Sequence, residues 1–215
     1  MKAVKAVLFD MDGVLVETRS SWVAVHNYFG VDNEYNLRRF WNHEIDEMEF
    51  VRSDVELWKK AKSDVTIEDI RDILSKVKLM PGADTTVREL RRKGIKTAII
   101  SGGIDLLANR VATELNMDAC LANGLCSTND GHLTGEGIVR VHIRDKSVAA
   151  ANLLETMGID RKECIAVGDS RTDIPLFRFC GRSAAFRPDT NEVAEEAGAV
   201  INELTDLLRV IENGG

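Results

Sequence analysis

Three short runs of the chain are apolar at consecutive positions: Lys5-Ala6-Val7-Leu8-Phe9-Asp10, Lys96-Thr97-Ala98-Ile99-Ile100-Ser101 and Cys164-Ile165-Ala166-Val167-Gly168-Asp169. A strand with one face in water alternates apolar and polar residues, whereas one covered on both faces need not. The runs therefore predict buried strands of a parallel sheet with helices on either side. Between them the period turns helical. One helix is expected after Pro81-Gly82, with Val87 and Leu90 on a common face and a stop at Gly94. Another runs from about Ser147 to Met157 and ends at Gly158. Such alternation predicts an open α/β sheet with right-handed crossovers, whose ligands gather beyond the carboxyl ends of the strands. All three runs end there in Asp or Ser.

Residues 18–78 follow a different pattern. They hold all three Trp, both Tyr, and Phe29, Phe40 and Phe50, at helical spacing. Gly30 and Asp32-Asn33 break the first helix, and Thr66 with Asp69 three positions on resembles a capping signal for the last. This is the pattern of a helical insertion, leaving residues 1–17 and 79–215 as the sheet core. Most of the aromatics are expected to fill a small bundle interior, with one or two facing a ligand. Residues 123–135, with Asn129-Asp130-Gly131 as the turn, read as a hairpin to which no chemistry is assigned. The terminal Asn213-Gly214-Gly215 is expected to fray.

Composition narrows the partners. At 215 residues, 44% hydrophobic and 29% charged, the chain can bury a substantial core. Its net charge of −7 repels a nucleic-acid backbone, so nucleic acid is not an expected partner. A small phosphorylated metabolite still fits if a divalent cation supplies positive charge. Cys120, Cys126, Cys164 and Cys180 lack zinc-site spacing and are expected to be reduced thiols. No apolar stretch before Asp10 is long enough for a signal peptide or a membrane span, which points to the cytoplasm and away from a membrane.

Asp10-Met11-Asp12-Gly13-Val14 places two carboxylates two residues apart where the first run ends, and Gly13 permits the turn that must follow. Phosphoryl transfer needs a nucleophile, a proton donor for the leaving oxygen, and cations against the equatorial oxygens. Asp10 is the expected nucleophile, forming an aspartyl-phosphate. Asp12 is the expected acid, protonating the departing alkoxide and then taking a proton from water. Asp10-Met11-Asp12-Gly13 alone would also suit a plain turn or a calcium loop, but Leu15-Val16 lack the regularly spaced oxygens of the latter. Ser101-Gly102-Gly103 offers a hydroxyl and unobstructed amides to a phosphate, or simply a capped glycine turn. Lys146 is either a solvated lysine or a fixed ammonium that holds the phosphoryl group and keeps Asp10 charged. Gly168-Asp169-Ser170-Arg171-Thr172-Asp173 brings a second acidic pair to a second strand end. Carboxylates from two strands facing one point repel unless a cation lies between them, and oxygen ligands with open water positions suit Mg²⁺. The expected ligands are Asp10, the main-chain carbonyl of Asp12 and Asp169, with Asp173 in support.

As a set and in this order, the segments at 10–14, 100–103, 146 and 168–173 resemble the haloacid dehalogenase-like phosphohydrolases, most closely their phosphoserine phosphatase branch. The resemblance covers nearly the whole chain. It implies a Rossmann-like α/β core, a small helical cap at residues 18–78, Mg²⁺, the aspartyl-phosphate route, and closure of the cap over the core to exclude water and choose the substrate. The chain also departs from the branch. Thr172 stands where Asn is usual. The glutamate that would hold a substrate ammonium falls on Arg19 by direct counting, with Glu17 two residues earlier. Arg52 is the nearest candidate for the arginine that would grip a substrate carboxylate. The resemblance thus implies phosphoserine first, with another small phosphomonoester such as a sugar or polyol phosphate close behind. A dehalogenase would not need Asp12 or the metal site. A mutase would return the phosphoryl group to its substrate, a non-enzymatic receiver would be shorter and lack Asp12, and an idle interaction protein would not need the full set.

Overall fold

β1 (Ala6–Phe9) occupies the middle of a seven-stranded sheet in a computed structural model that describes residues 3–213; Met1, Lys2, Gly214 and Gly215 lie outside the described residues. On one side of it lie β2 (Lys96–Ile104), β3 (Ala119–Ser127) and β4 (Leu133–Ile138). On the other lie β5 (Cys164–Gly168), β6 (Arg182–Phe186) and the short β7 (Val200–Ile201), giving the order β4-β3-β2-β1-β5-β6-β7. Every pairing is parallel except β3 with β4. The chain builds outward from β1 in one direction and then in the other, so the order reverses at β1, where an open α/β sheet leaves a crevice.

The continuous apolar runs are explained by two cores. Val7 and Phe9 of β1, with Ile99, Ile165 and Val167, enter one cluster, whereas Ala6 and Leu8, with Ala98, Ile100 and Ala166, enter the other. Successive side chains of a strand point to opposite faces, so burying both faces removes the polar positions. Leu90 of α5 (Ala83–Arg92), Val111 of α6 (Asp105–Glu114) and Leu207 of α10 (Asp206–Glu212) cover the first face. Leu154 of α7 (Ser147–Met157), Leu176 of α8 (Ile174–Phe179) and Val193 of α9 (Asn191–Glu196) cover the second. The helix ending at Gly158 has the expected left-handed C-cap there.

Between β1 and α5 come four helices: α1 (Ser21–Phe29), α2 (Glu34–Trp41), α3 (Glu47–Ala61) and α4 (Ile67–Ser75). Gly30 ends α1 in the left-handed region, and Thr66 with Asp69 forms a capping box on α4. The chain leaves and re-enters the sheet layer side by side: Val16 bridges Leu79, Glu17 N–H donates to the Lys78 carbonyl at 3.0 Å, and Met80 N–H donates to the Leu15 carbonyl at 2.8 Å. Trp58 and Phe40 are buried, but Trp41, Tyr28 and Tyr35 are on the surface, so fewer aromatics fill the interior than the spacing suggests. The hairpin β3–β4 abuts the helices, with Ile67 N–H donating to the Gly131 carbonyl at 2.8 Å and Leu133 N–H to that of Val65 at 3.0 Å. All four cysteines are free. Among the described residues no helix is long and apolar enough to cross a membrane.

Candidate active site

Register puts the chemistry at one rim. Phe9 lies opposite Ile99 and Val167, so where β1 ends at Asp10 the neighbouring strands stand level at Ile100 and Gly168, with Ser101 and Asp169 one step beyond. Lys146, at the N-terminal end of α7, is almost wholly buried. Its Nζ lies 2.8 Å from Asp10 Oδ2 and 2.6 Å from Asp173 Oδ1. Asp173 is pinned further: its Oδ2 accepts from the Asp169 and Ser170 amides, 3.1 Å each, and from the Ser170 hydroxyl at 3.2 Å. Asp10, Asp169 and Asp173 each offer a carboxylate oxygen, all within 4.8 Å of one another.

Three carboxylates and one ammonium leave a formal charge of −2 in a buried space. Burial raises the Asp10 carboxyl above its ordinary range, with Lys146 pulling against it. Asp169 is pushed up to about 8, first by burial and then by repulsion from Asp10 and Asp173. Burial would lower Lys146, but Asp10 and Asp173 outweigh it and hold the ammonium charged. The Asp169 carboxylate accepts no hydrogen bond from the described residues. An unpaired oxygen, an all-oxygen donor set and a deficit of two charges fit a hard divalent cation. Gly13 leaves room for it. Its φ is +74°, and a Cβ there would stand 2.2 Å from Asp169 Oδ2.

Asp12 faces the same space from the turn after β1. Its Oδ2 accepts from both the backbone N–H and the hydroxyl of Ser21, 2.8 Å each, while its buried Oδ1 has no partner. Burial pushes this carboxyl up to about 7 against the pull of Ser21. Ser21 also accepts from Ile104 N–H at 2.9 Å, tying α1 to the end of β2. The Ser101 hydroxyl accepts from Gly103 N–H at 3.1 Å and draws the Asp10 carboxyl downward. A Cβ on Gly103 would come within 2.6 Å of Asp12 Oδ2, so only glycine allows the loop this close.

Residues 4–181 match the family model for haloacid dehalogenase-like hydrolase. The chain belongs to this family. It is similar to the phosphoserine phosphatase of Methanocaldococcus jannaschii, 29% identical with 98% of each chain covered. A solved phosphoserine phosphatase holding a phospho-aspartyl intermediate analogue superposes with a TM-score of 0.79 at 27% identity, and one with substrate bound superposes at 0.80 and 26%, each over 99% of both chains.

In this hydrolase a cavity of about 460 Å³ opens between the rim and the helices α1–α3. Asp10, Asp12, Ser101, Gly102, Lys146, Asp169 and Thr172 line it, and Thr172 Oγ1 lies 2.9 Å from the Ser170 hydroxyl. Arg19 lines it too, exposed. Glu17 is exposed and does not line it. Arg52 is not brought to the site: both guanidinium bonds go to Glu136 of β4, 2.9 Å each, because its side of α3 faces the hairpin. Sequence reasoning missed Ser21, whose only signal was a serine pair where an N-cap belongs, and Trp22, whose indole donates to the Gly102 carbonyl at 3.1 Å. It also missed Asn123, whose Oδ1 accepts from the Arg140 and Val141 amides, 2.9 Å each, and so ties the end of β3 to the segment that leads to Lys146.

Proposed function

We propose that the chain is an Mg²⁺-dependent phosphomonoesterase that works through an aspartyl-phosphate on Asp10. The observation that carries this reading is the cluster of Asp10, Asp169 and Asp173 within 4.8 Å around a buried Lys146. Asp10, the main-chain carbonyl of Asp12 and Asp169 would hold the cation, and Asp173, saturated by its own turn and by Lys146, positions rather than binds. When bound, the cation neutralises charge on the phosphoryl oxygens and on the cluster. The Ser101 hydroxyl, the Gly102 amide and the Lys146 ammonium orient the phosphoryl group.

Asp10 attacks phosphorus, the ester P–O bond breaks, and the Asp12 carboxyl gives its proton to the leaving alkoxide. Water then attacks phosphorus, Asp12 takes its proton, and the P–O bond to Asp10 breaks to release phosphate and restore the carboxylate. A carboxyl lifted to about 7 is suited to both proton transfers near neutral pH. Residues 18–78 act as a cap that closes the cavity and selects the leaving group. The phosphoserine phosphatases among the relatives make phosphoserine the first substrate to test, with sugar and polyol phosphates next. The protein should release phosphate from an aryl phosphate with Mg²⁺ and stop with chelator, and Asp10→Asn should lose at least about 10³-fold in kcat. Undiminished Asp10→Asn turnover would falsify the nucleophile, and an isomerised ester in place of free phosphate would indicate a mutase.

A further inference from the structure

α1 and α3 meet at a buried polar group that the phosphoryl chemistry leaves unused. Trp58 Nε1 donates to His26 Nδ1 at 2.8 Å, and His26 Nε2 lies 2.9 Å from Asp54 Oδ1. An indole N–H only donates, so Nδ1 is the acceptor, Nε2 carries the hydrogen and His26 is the uncharged tautomer. Asn33 Nδ2 donates to the same Asp54 oxygen at 2.7 Å. Asp54 is only 1% exposed, yet two neutral donors rather than a cation face its charge. Both occupy Oδ1. Oδ2 accepts nothing from the described residues, and Asp54, His26 and Asn33 all line the cavity.

The placement suits a leaving group. Trp22 bonds the Gly102 carbonyl beside the phosphate loop, and His26 lies one turn further along the same face of α1, ~6 Å along its axis. Trp22, Phe40, Phe50 and Ile143 line the same cavity, and apolar walls strengthen any charge interaction there.

We propose that Asp54 is a specificity-determining residue that receives a protonated amine on the leaving group, making phosphorylated amino alcohols and amino acids the substrate class. An ammonium both donates to Oδ2 and neutralises the buried carboxylate, whereas a hydroxyl does only the first. The inference rests on the phosphatase reading of the same cavity. Arg19, exposed on the cavity wall and in no ion pair among the described residues, is left for a carboxylate where the substrate has one.

The test compares kcat/KM for phosphoethanolamine and phosphoserine with that for glycerol 3-phosphate. Wild type should favour the ammonium-bearing esters, and Asp54→Asn should cut that ratio by about tenfold or more, mainly through KM. A purely structural role would depress every ester alike and leave the ratio intact, which overturns the proposal, as does a wild type that favours glycerol 3-phosphate. Leu37→Lys guards against misfolding of the buried variant. Leu37 is 39% exposed on the cavity wall, so a lysine there opposes the ammonium without touching the His26–Asp54 contact and should lower the same ratio. Turnover of an aryl phosphate without ammonium preference defeats the Asp54 assignment alone, whereas no Mg²⁺-dependent turnover of any ester defeats the phosphatase reading with it.

Discussion

Asp12 takes both of its hydrogen bonds from Ser21 at Oδ2, which leaves Oδ1 free for the leaving group. Those bonds stabilise the ionised form, so removing one raises the carboxyl further. Leaving-group protonation needs the acid form, and the rate should therefore fall as pH rises through about 7. In Ser21→Ala that descending limb should move to higher pH, with kcat at its plateau reduced by about tenfold or less because the backbone N–H bond survives. A kcat profile that keeps its limb, or moves it down, would remove Asp12 from the acid role. Asp10, Asp12, Ser101, Asp169 and Asp173 were legible in the sequence because each follows a buried apolar run and parallel register carries strand ends to one rim. Ser21 and the Asp54–His26–Trp58 contact were not, because they arise where α1 docks on the sheet and on α3, and no local period encodes that meeting.

The helical insertion packs on the hairpin β3–β4 and on the segment before Lys146 despite lying far from both in sequence. Glu47, in the first turn of α3, accepts from the Ile143 amide at 2.5 Å and lies 2.6 Å from His142 Nδ1, just before Lys146. Ile143 packs against Gly102, where an added Cβ would sit 2.9 Å from its Cγ1. Glu47→Ala should loosen that wall and raise KM several-fold while costing about 1 kcal/mol of stability, read by steady-state kinetics and urea unfolding. Arg52→Ala is the contrast. Its pair with Glu136 is solvent-exposed and screened, and it lies away from the cavity, so KM should change less than about twofold. A large KM rise in Arg52→Ala would return that residue to the substrate. The hairpin turn was readable from Asn129-Asp130-Gly131, but its service to the insertion was not. The short β6, β7, α8 and α9 carry too few residues for a period to show.

At the scale of the whole molecule, the buried charge deficit becomes a stability law. In the absence of a cation Asp12 and Asp169 hold their protons up to about 7 and about 8, whereas in the unfolded chain they would ionise near 3.8. The native state thus binds more protons than the unfolded state between these limits. The stabilisation is fully present below about pH 4 and is lost as pH rises through about 8. A divalent cation binds the ionised cluster and displaces those protons, so its own contribution grows over the same window. In chelator, Tm should fall by several degrees between pH 5 and pH 8, and saturating Mg²⁺ should raise it more at pH 8 than at pH 6. Asp10→Asn, which removes one of the three clustered charges and one ligand oxygen, should flatten both trends. If Tm in chelator stays level across this range and Mg²⁺ leaves it unmoved, the three carboxylates are a structural ion-pair network closed by Lys146. The family's chemistry would then have to enter the cavity by another route.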